Sequence, residues 1–263
     1  MKGQLLKMQT KLEDTVQYHL PIGDELIAMN PLIGKKISLK FEGEIYCLST
    51  GQKIKKSYNQ GFSYKAFMSL ACCDICIVKP NLCHYHKGTC REPEWGEKNC
   101  MAPHIVYLAN TSKVKIGITR KSQIPTRWMD QGASFALPIL ECKDRYTAGL
   151  IEAEISKQMS DKTNWRDMLK GVLQEEDLEA HREDIYEQFA DLLDDMNAED
   201  LEDPVVKINY PVEQYPEKVS SLSFDKKPLI EGTLMGIKGQ YLILDTGVLN
   251  IRKHQGYQIE LTY

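Results

Sequence analysis

Apolar and polar residues alternate in short pieces towards both ends of the chain. Val16-Gln17-Tyr18-His19-Leu20 and Lys36-Ile37-Ser38-Leu39-Lys40-Phe41 have the period of two that half-buried strands require, with Gly and Pro between them. The same texture returns in Gly232-Thr233-Leu234-Met235-Gly236, Gln240-Tyr241-Leu242-Ile243-Leu244-Asp245, Val248-Leu249-Asn250-Ile251-Arg252 and Tyr257-Gln258-Ile259-Glu260-Leu261, where Lys238-Gly239 and Thr246-Gly247 supply turns. Neither end has enough strands to close a sheet alone. Residues 1–46 and 205–263 are therefore expected to pair into one small barrel or sandwich.

The middle of the chain follows a different rhythm. Over 102–173, Ile105–Ala109 reads as a strand, Thr111–Lys113 as a turn and Val114–Thr119 as a returning strand. A helix carrying Arg127-Trp128 follows, then a strand at Leu137–Leu140 and a helix from about Thr147. On that last helix Ala148, Ile151, Ile155 and Met159 form one apolar stripe with Glu152 beside it, close enough to reach the sheet's edge. Residues 174–204 hold a second amphipathic helix, striped by Leu178, His181, Ile185, Phe189, Leu192 and Met196. Asp203-Pro204 and Lys226-Lys227-Pro228 read as linker. The fold class expected is α+β.

Charge changes this picture. The formal net charge of −4 conceals a local imbalance, because Gln174–Pro204 holds fourteen acidic residues against one arginine. The remainder has 32 basic and 23 acidic residues, a balance of +9. Apolar runs such as Ala133–Leu140 are far shorter than the 18 or so residues a bilayer span needs, and Met1-Lys2-Gly3-Gln4 opens no apolar leader core. The expectation is a cytoplasmic protein without membrane contact.

Six of the eight cysteines fall between Cys72 and Cys100, which favours metal over a disulfide framework. Cys73-x-x-Cys76 has knuckle spacing, and Cys83, His84, His86, Cys90 and Cys100 follow in the stretch 47–101. Zinc takes four ligands, so a structural ion is expected on four of Cys73, Cys76, Cys83, Cys90 and Cys100, with one surplus or exchanging its role with His84 or His86. Cys72 and Cys142 read as small buried hydrophobes. An incomplete second pattern precedes this one: Cys47 stands where a ribbon would also want cysteine at positions now Thr50, Ser63 and Ala66. Around it Lys53, Lys55, Lys56 and Lys65 interleave with Tyr58, Phe62, Tyr64 and Phe67, which suits phosphate contacts and base stacking, or equally a solvated basic loop beside a small core.

Residues 104–170 resemble the GIY-YIG nuclease superfamily, a small antiparallel sheet flanked by helices. The resemblance implies that Tyr107 is the first motif tyrosine, Lys115 stands in the second motif's tyrosine position, Arg127 is the helix arginine and Glu152 the Mg²⁺ ligand. Asn164 lies roughly where some members place a further polar residue. In phosphodiester hydrolysis a guanidinium and a carboxylate-held Mg²⁺ stabilise charge developing on phosphate oxygens. An ammonium can hold phosphate but is a poor substitute for a phenol base. More broadly, Gly88–Gly96, Pro103–Ala109, Asp161–Arg166 and Gly236–Tyr241 resemble a bacterial family of unknown function. That family joins zinc-binding cysteines to a degenerate GIY-YIG-like domain in which lysine at position 115 is usual. The function expected is zinc-stabilised binding of nucleic acid, DNA or RNA, with Lys53, Lys55, Lys56, Tyr58 and Lys65 as further contacts. The alternatives are a Mg²⁺-dependent endonuclease and a scaffold whose acidic helix docks a protein partner.

Overall fold

In the computed structural model, which describes residues 1–263, the alternating segment Lys36–Tyr46 is the spine of the largest sheet. Strand Tyr257–Thr262 pairs antiparallel along one side of it and strand Leu229–Lys238 along the other. Lys2–Gln4 adds beyond the first, and the hairpin Tyr241–Leu244 with Gly247–Asn250 beyond the second. Strands from both ends of the sequence thus share one sheet. Residues Gln9–Ala28 do not join it. The two-residue turn Gly23-Asp24 folds Gln17–Ile22 back on Glu25–Ala28, and with Gln9–Lys11 they make a separate three-stranded sheet.

The central sheet is built from the hairpin His104–Asn110 with Val114–Arg120, and from Phe135–Cys142 on the hairpin's other side. Side chains alternate across it. Val106, Leu108, Ile116 and Ile118 face Ala148, Ile151 and Ile155 of helix Arg145–Ile155. Ile105, Tyr107 and Ala109 face the other way, into a core shared with Trp128, Met129 and the terminal strands' Ile237, Leu242 and Ile259. The mixed α+β class therefore stands, with several antiparallel sheets against helices.

Two sequence expectations change here. The stretch around Asp203-Pro204 is not simple linker, since Glu199–Asp200 and Val206–Lys207 both pair with the Phe135–Cys142 strand and extend its edge. The acidic helix, Leu178–Asp195, spends its apolar stripe on the same core as Ile151 and Leu140. Its backbone departs from helical geometry at Phe189 (φ −117°, ψ 16°), so Leu193 takes the buried position that regular spacing assigns to Leu192. Tyr186 donates to the carbonyl of Ile139 at 2.5 Å, pinning the helix to the sheet. No helix is long and apolar enough to cross a membrane.

Candidate functional site

Tyr107 and Gly117 lie directly opposite each other in the hairpin. A β-carbon on residue 117 would come within 2.8 Å of the Tyr107 hydroxyl, so only glycine lets the ring lie flat across the neighbouring strand. The phenol is wholly buried and donates to Oε1 of Gln131 at 2.9 Å. Burial raises its pKa, with the nearby Arg127 guanidinium opposing. Two residues before Gly117, on the same face, Lys115 sets its ammonium 5.9 Å from the centre of the Tyr107 ring.

Lys115 is only 3% exposed. Burial pushes its pKa down to about 8, with repulsion from Arg127 adding and attraction from Glu152 and Asp161 opposing. Glu152 reaches the group from helix Arg145–Ile155. Burial raises its carboxyl above the ordinary range, while Lys115, Arg145 and Arg127 draw it back. The structure therefore brings Tyr107, Lys115, Arg127 and Glu152 together. It adds two cations that sequence spacing did not single out, Arg145 and, from the C-terminal strands, Arg252, whose charge interacts with Arg127. No side chain among Lys115, Arg127, Arg145, Glu152 and Arg252 has a salt-bridge partner within 4.0 Å. Asp130, next on the Arg127 helix, is already held by Lys7 and Gln240. Asn164 lies outside the group and caps the short helix Trp165–Leu169.

The cysteines divide. Cys76, Cys83, Cys90 and Cys100 line one enclosed cavity of about 10 Å³, room for a single small guest. Burial, then the charges of Asp74, Cys83 and Cys100, push the Cys76 thiol up to about 12. Burial raises Cys100 as well, with Arg145 opposing. Thiols this close cannot all ionise unless a cation joins them. Cys73 does not line the cavity: its sulfur accepts from Nδ2 of Asn59 at 3.3 Å and lies 3.9 Å from the sulfur of half-buried Cys72. Within Cys73-x-x-Cys76, Asp74 caps a new 3₁₀ turn, and of the two cysteines Cys76 lines the cavity. Asp74, Cys76 and His84 also bring potential ligand atoms within 4.8 Å of one another, a possible metal-binding group. Asp74 is, however, engaged by Arg91 at 2.6 Å, and Nδ1 of His84 lies 2.8 Å from Thr89 Oγ1. His86 lies apart, its ring 5.0 Å from that of Tyr146. Cys142 is buried, as its sequence setting suggested.

Helix Arg145–Ile155 joins the two centres. Arg145, Gly149 and Glu152 follow a spacing of four and three, which places them on one face. Arg145 donates to the carbonyl of Ile77, inside the cysteine loop, at 2.7 Å, while Glu152 lies at the cation group.

The incomplete pattern around Cys47 holds its single thiol by hydrogen bonds. Burial acts to raise the Cys47 pKa, but donors from Ser49, the Ser63 amide and Thr50 outweigh it and bring it to about 6. Ser63 also caps helix Tyr64–Ser69. In the adjoining loop Lys53 is paired with Glu44 at 2.6 Å, whereas Lys55, Lys56 and Lys65 are exposed. Lys56 lies 5.2 Å over the Tyr58 ring, and Tyr58 packs against Tyr64 and Phe67.

No curated protein and no solved structure matches the chain. Over residues 34–259, which include every residue of both centres, it belongs to the family described as protein of unknown function (DUF2797).

Proposed function

We propose that the protein binds nucleic acid by its phosphates at the Lys115, Arg127, Arg145 and Arg252 group, on a scaffold held by a structural zinc ion. The observation that carries this reading is Lys115, an ammonium buried to 3% exposure with no carboxylate within salt-bridge distance. A buried charge without a partner is costly, and an arriving phosphate supplies the missing partner. Counting the Lys7–Asp130 pair beside Arg252, five cations face three carboxylates, Glu152, Asp161 and Asp130, so the group is short of negative charge. The order hairpin, helix with arginine, strand, helix with glutamate is similar to the GIY-YIG nuclease arrangement and supports a phosphate-facing role.

For zinc, the donor set fits. Four thiols line one small cavity, and soft thiolates are the ligands that structural zinc takes. Cys76, Cys83, Cys90 and Cys100 are the ligands we assign. Mg²⁺ fits poorly, because the carboxylates Glu152 and Asp161 are outnumbered by cations that repel a dication. The buried Tyr107 phenol, held by Gln131, shapes the floor under Lys115 and is not open to substrate.

Fluorescence anisotropy with single-stranded and duplex DNA and RNA, with and without Mg²⁺, tests the reading. Arg127→Ala should weaken binding about tenfold or more. Glu152→Gln should tighten it, because it removes a negative charge facing the phosphate. Metal-dependent cleavage by the wild type that Glu152→Gln abolishes would replace this reading with the nuclease one.

A further inference from the structure

The cation group adjoins the C-terminal strands through Arg252. Arg252 begins a 3₁₀ turn, Arg252–His254, and the preceding Ile251 donates to the carbonyl of Gln240, whose side chain holds Asp130 on the Arg127 helix. On the other side of the turn, Gln255 donates to the carbonyl of Gln60 at 3.3 Å. Gln60 and Gly61 belong to the loop that carries Lys55, Lys56 and Tyr58. Residues 252–256 thus tie the buried cations to the basic and aromatic loop, two regions far apart in sequence. Arg252 is half-buried and has no salt bridge. At the loop's end Tyr64 is 59% exposed and Met68 52%, while Lys55, Lys56 and Lys65 point into solvent.

Resting on the proposed reading, we infer that these features form one track for a single-stranded polynucleotide, entering at Lys115 and Arg127, crossing on Arg252 and stacking its bases on Tyr58 and Tyr64. The choice of ligand follows from the chemistry along the path. Successive cations match a phosphate backbone. An exposed tyrosine face takes a base only when that base is free of a duplex partner. A group whose Arg127 and Arg252 are half-buried admits a flexible strand more readily than a stiff duplex. A mononucleotide would fill one end of the track and leave Tyr58 and Tyr64 unused.

Anisotropy of labelled oligothymidine with the full-length protein tests the track. The wild type should bind a strand of about 12 nucleotides at least about tenfold more tightly than one of about 4, and more tightly than a duplex of equal length. Arg252→Gln should lower affinity for long and short strands alike, about fivefold, and reduce the salt slope by about 1, because Arg252 belongs to the phosphate group, whereas a change at Tyr64 should spare the short strand. Tyr64→Ala, at an exposed position that burdens the fold little, should lower long-strand affinity by a similar factor. Equal affinity of the long strand for wild type and Tyr64→Ala would overturn the track while leaving the phosphate reading in place. So would equal binding of inorganic polyphosphate, or preference for the duplex. Absence of binding by the wild type to any of these probes at low salt would instead overturn the proposed function itself.

Discussion

Gly149 and Pro80 are in closer contact than any side chain would permit: a β-carbon on residue 149 would lie 2.4 Å from Cβ of Pro80 and 2.7 Å from its carbonyl carbon. The cysteine loop therefore sits directly on the helix that carries Glu152. Gly149→Ala must push the two apart, because proline and backbone cannot swing aside. The expected cost is about 1–3 kcal/mol in thermal or urea unfolding. Nucleic-acid affinity should fall with it, since Arg145 and Glu152 share that helix face. Unchanged stability in Gly149→Ala would mean that the loop moves freely over the helix.

Elemental analysis distinguishes the cysteines. Cys83→Ser or Cys90→Ser should release the bound zinc and lower Tm by about 10 °C or more, because metal binding is coupled to folding. Cys73→Ser should retain it, since this thiol lies outside the cavity. Loss of metal from Cys73→Ser alone would contradict the four-thiol assignment.

Lys115 gives a pH signature. Its folded pKa, about 8, is below the ordinary lysine value of 10.5, so the unfolded chain binds more protons between those pH values. Its effect on stability is therefore unfavourable at neutral pH and is relieved as pH rises from about 8 to 10.5. Lys115→Met should raise stability at pH 7 by up to an order of 3 kcal/mol and flatten the pH dependence in that window. The same substitution should weaken phosphate binding, and wild-type affinity should decline as pH rises through about 8. A destabilised Lys115→Met protein at pH 7 would show that the ammonium has a partner.

Salt separates phosphate contacts from apolar ones. Affinity of the wild type should fall steeply as salt rises from 50 to 200 mM, by about tenfold per pair of phosphates neutralised, as counterion release requires. A flat salt dependence would point to a surface that recognises something other than a polyanion.

Much of the central sheet was legible because its residues are local in sequence. The hairpin Ile105–Thr119 and the stripe Ala148, Ile151, Ile155 follow simple periods, and each element packs against its neighbour in the chain. The cysteine density was equally plain, but ligand identity was not. Spacing favoured Cys73, whose sulfur instead accepts from Asn59 outside the cavity. Arg145 and Arg252 carried no signal, since one is a helix's first residue and the other lies among terminal strands more than a hundred residues from Arg127. The stripe of the acidic helix read correctly until Phe189, where a departure in φ and ψ that no spacing encodes shifted the buried position by one residue.

The pairing of Lys2–Gln4 with Tyr257–Thr262 has a consequence for how the molecule is made. The Met1 amine donates to the carbonyl of Leu261 at 2.9 Å, and the Leu261 amide donates back at 2.8 Å. During translation the first of these strands emerges long before its partner. The long spine Lys36–Tyr46 likewise waits for both of its neighbours. Such sequence-distant pairing slows folding and leaves strand edges open to other chains. The central hairpin and its helices can form as they leave the ribosome. They would then offer the face bearing Ile105, Tyr107 and Ala109 as a template on which the late strands assemble.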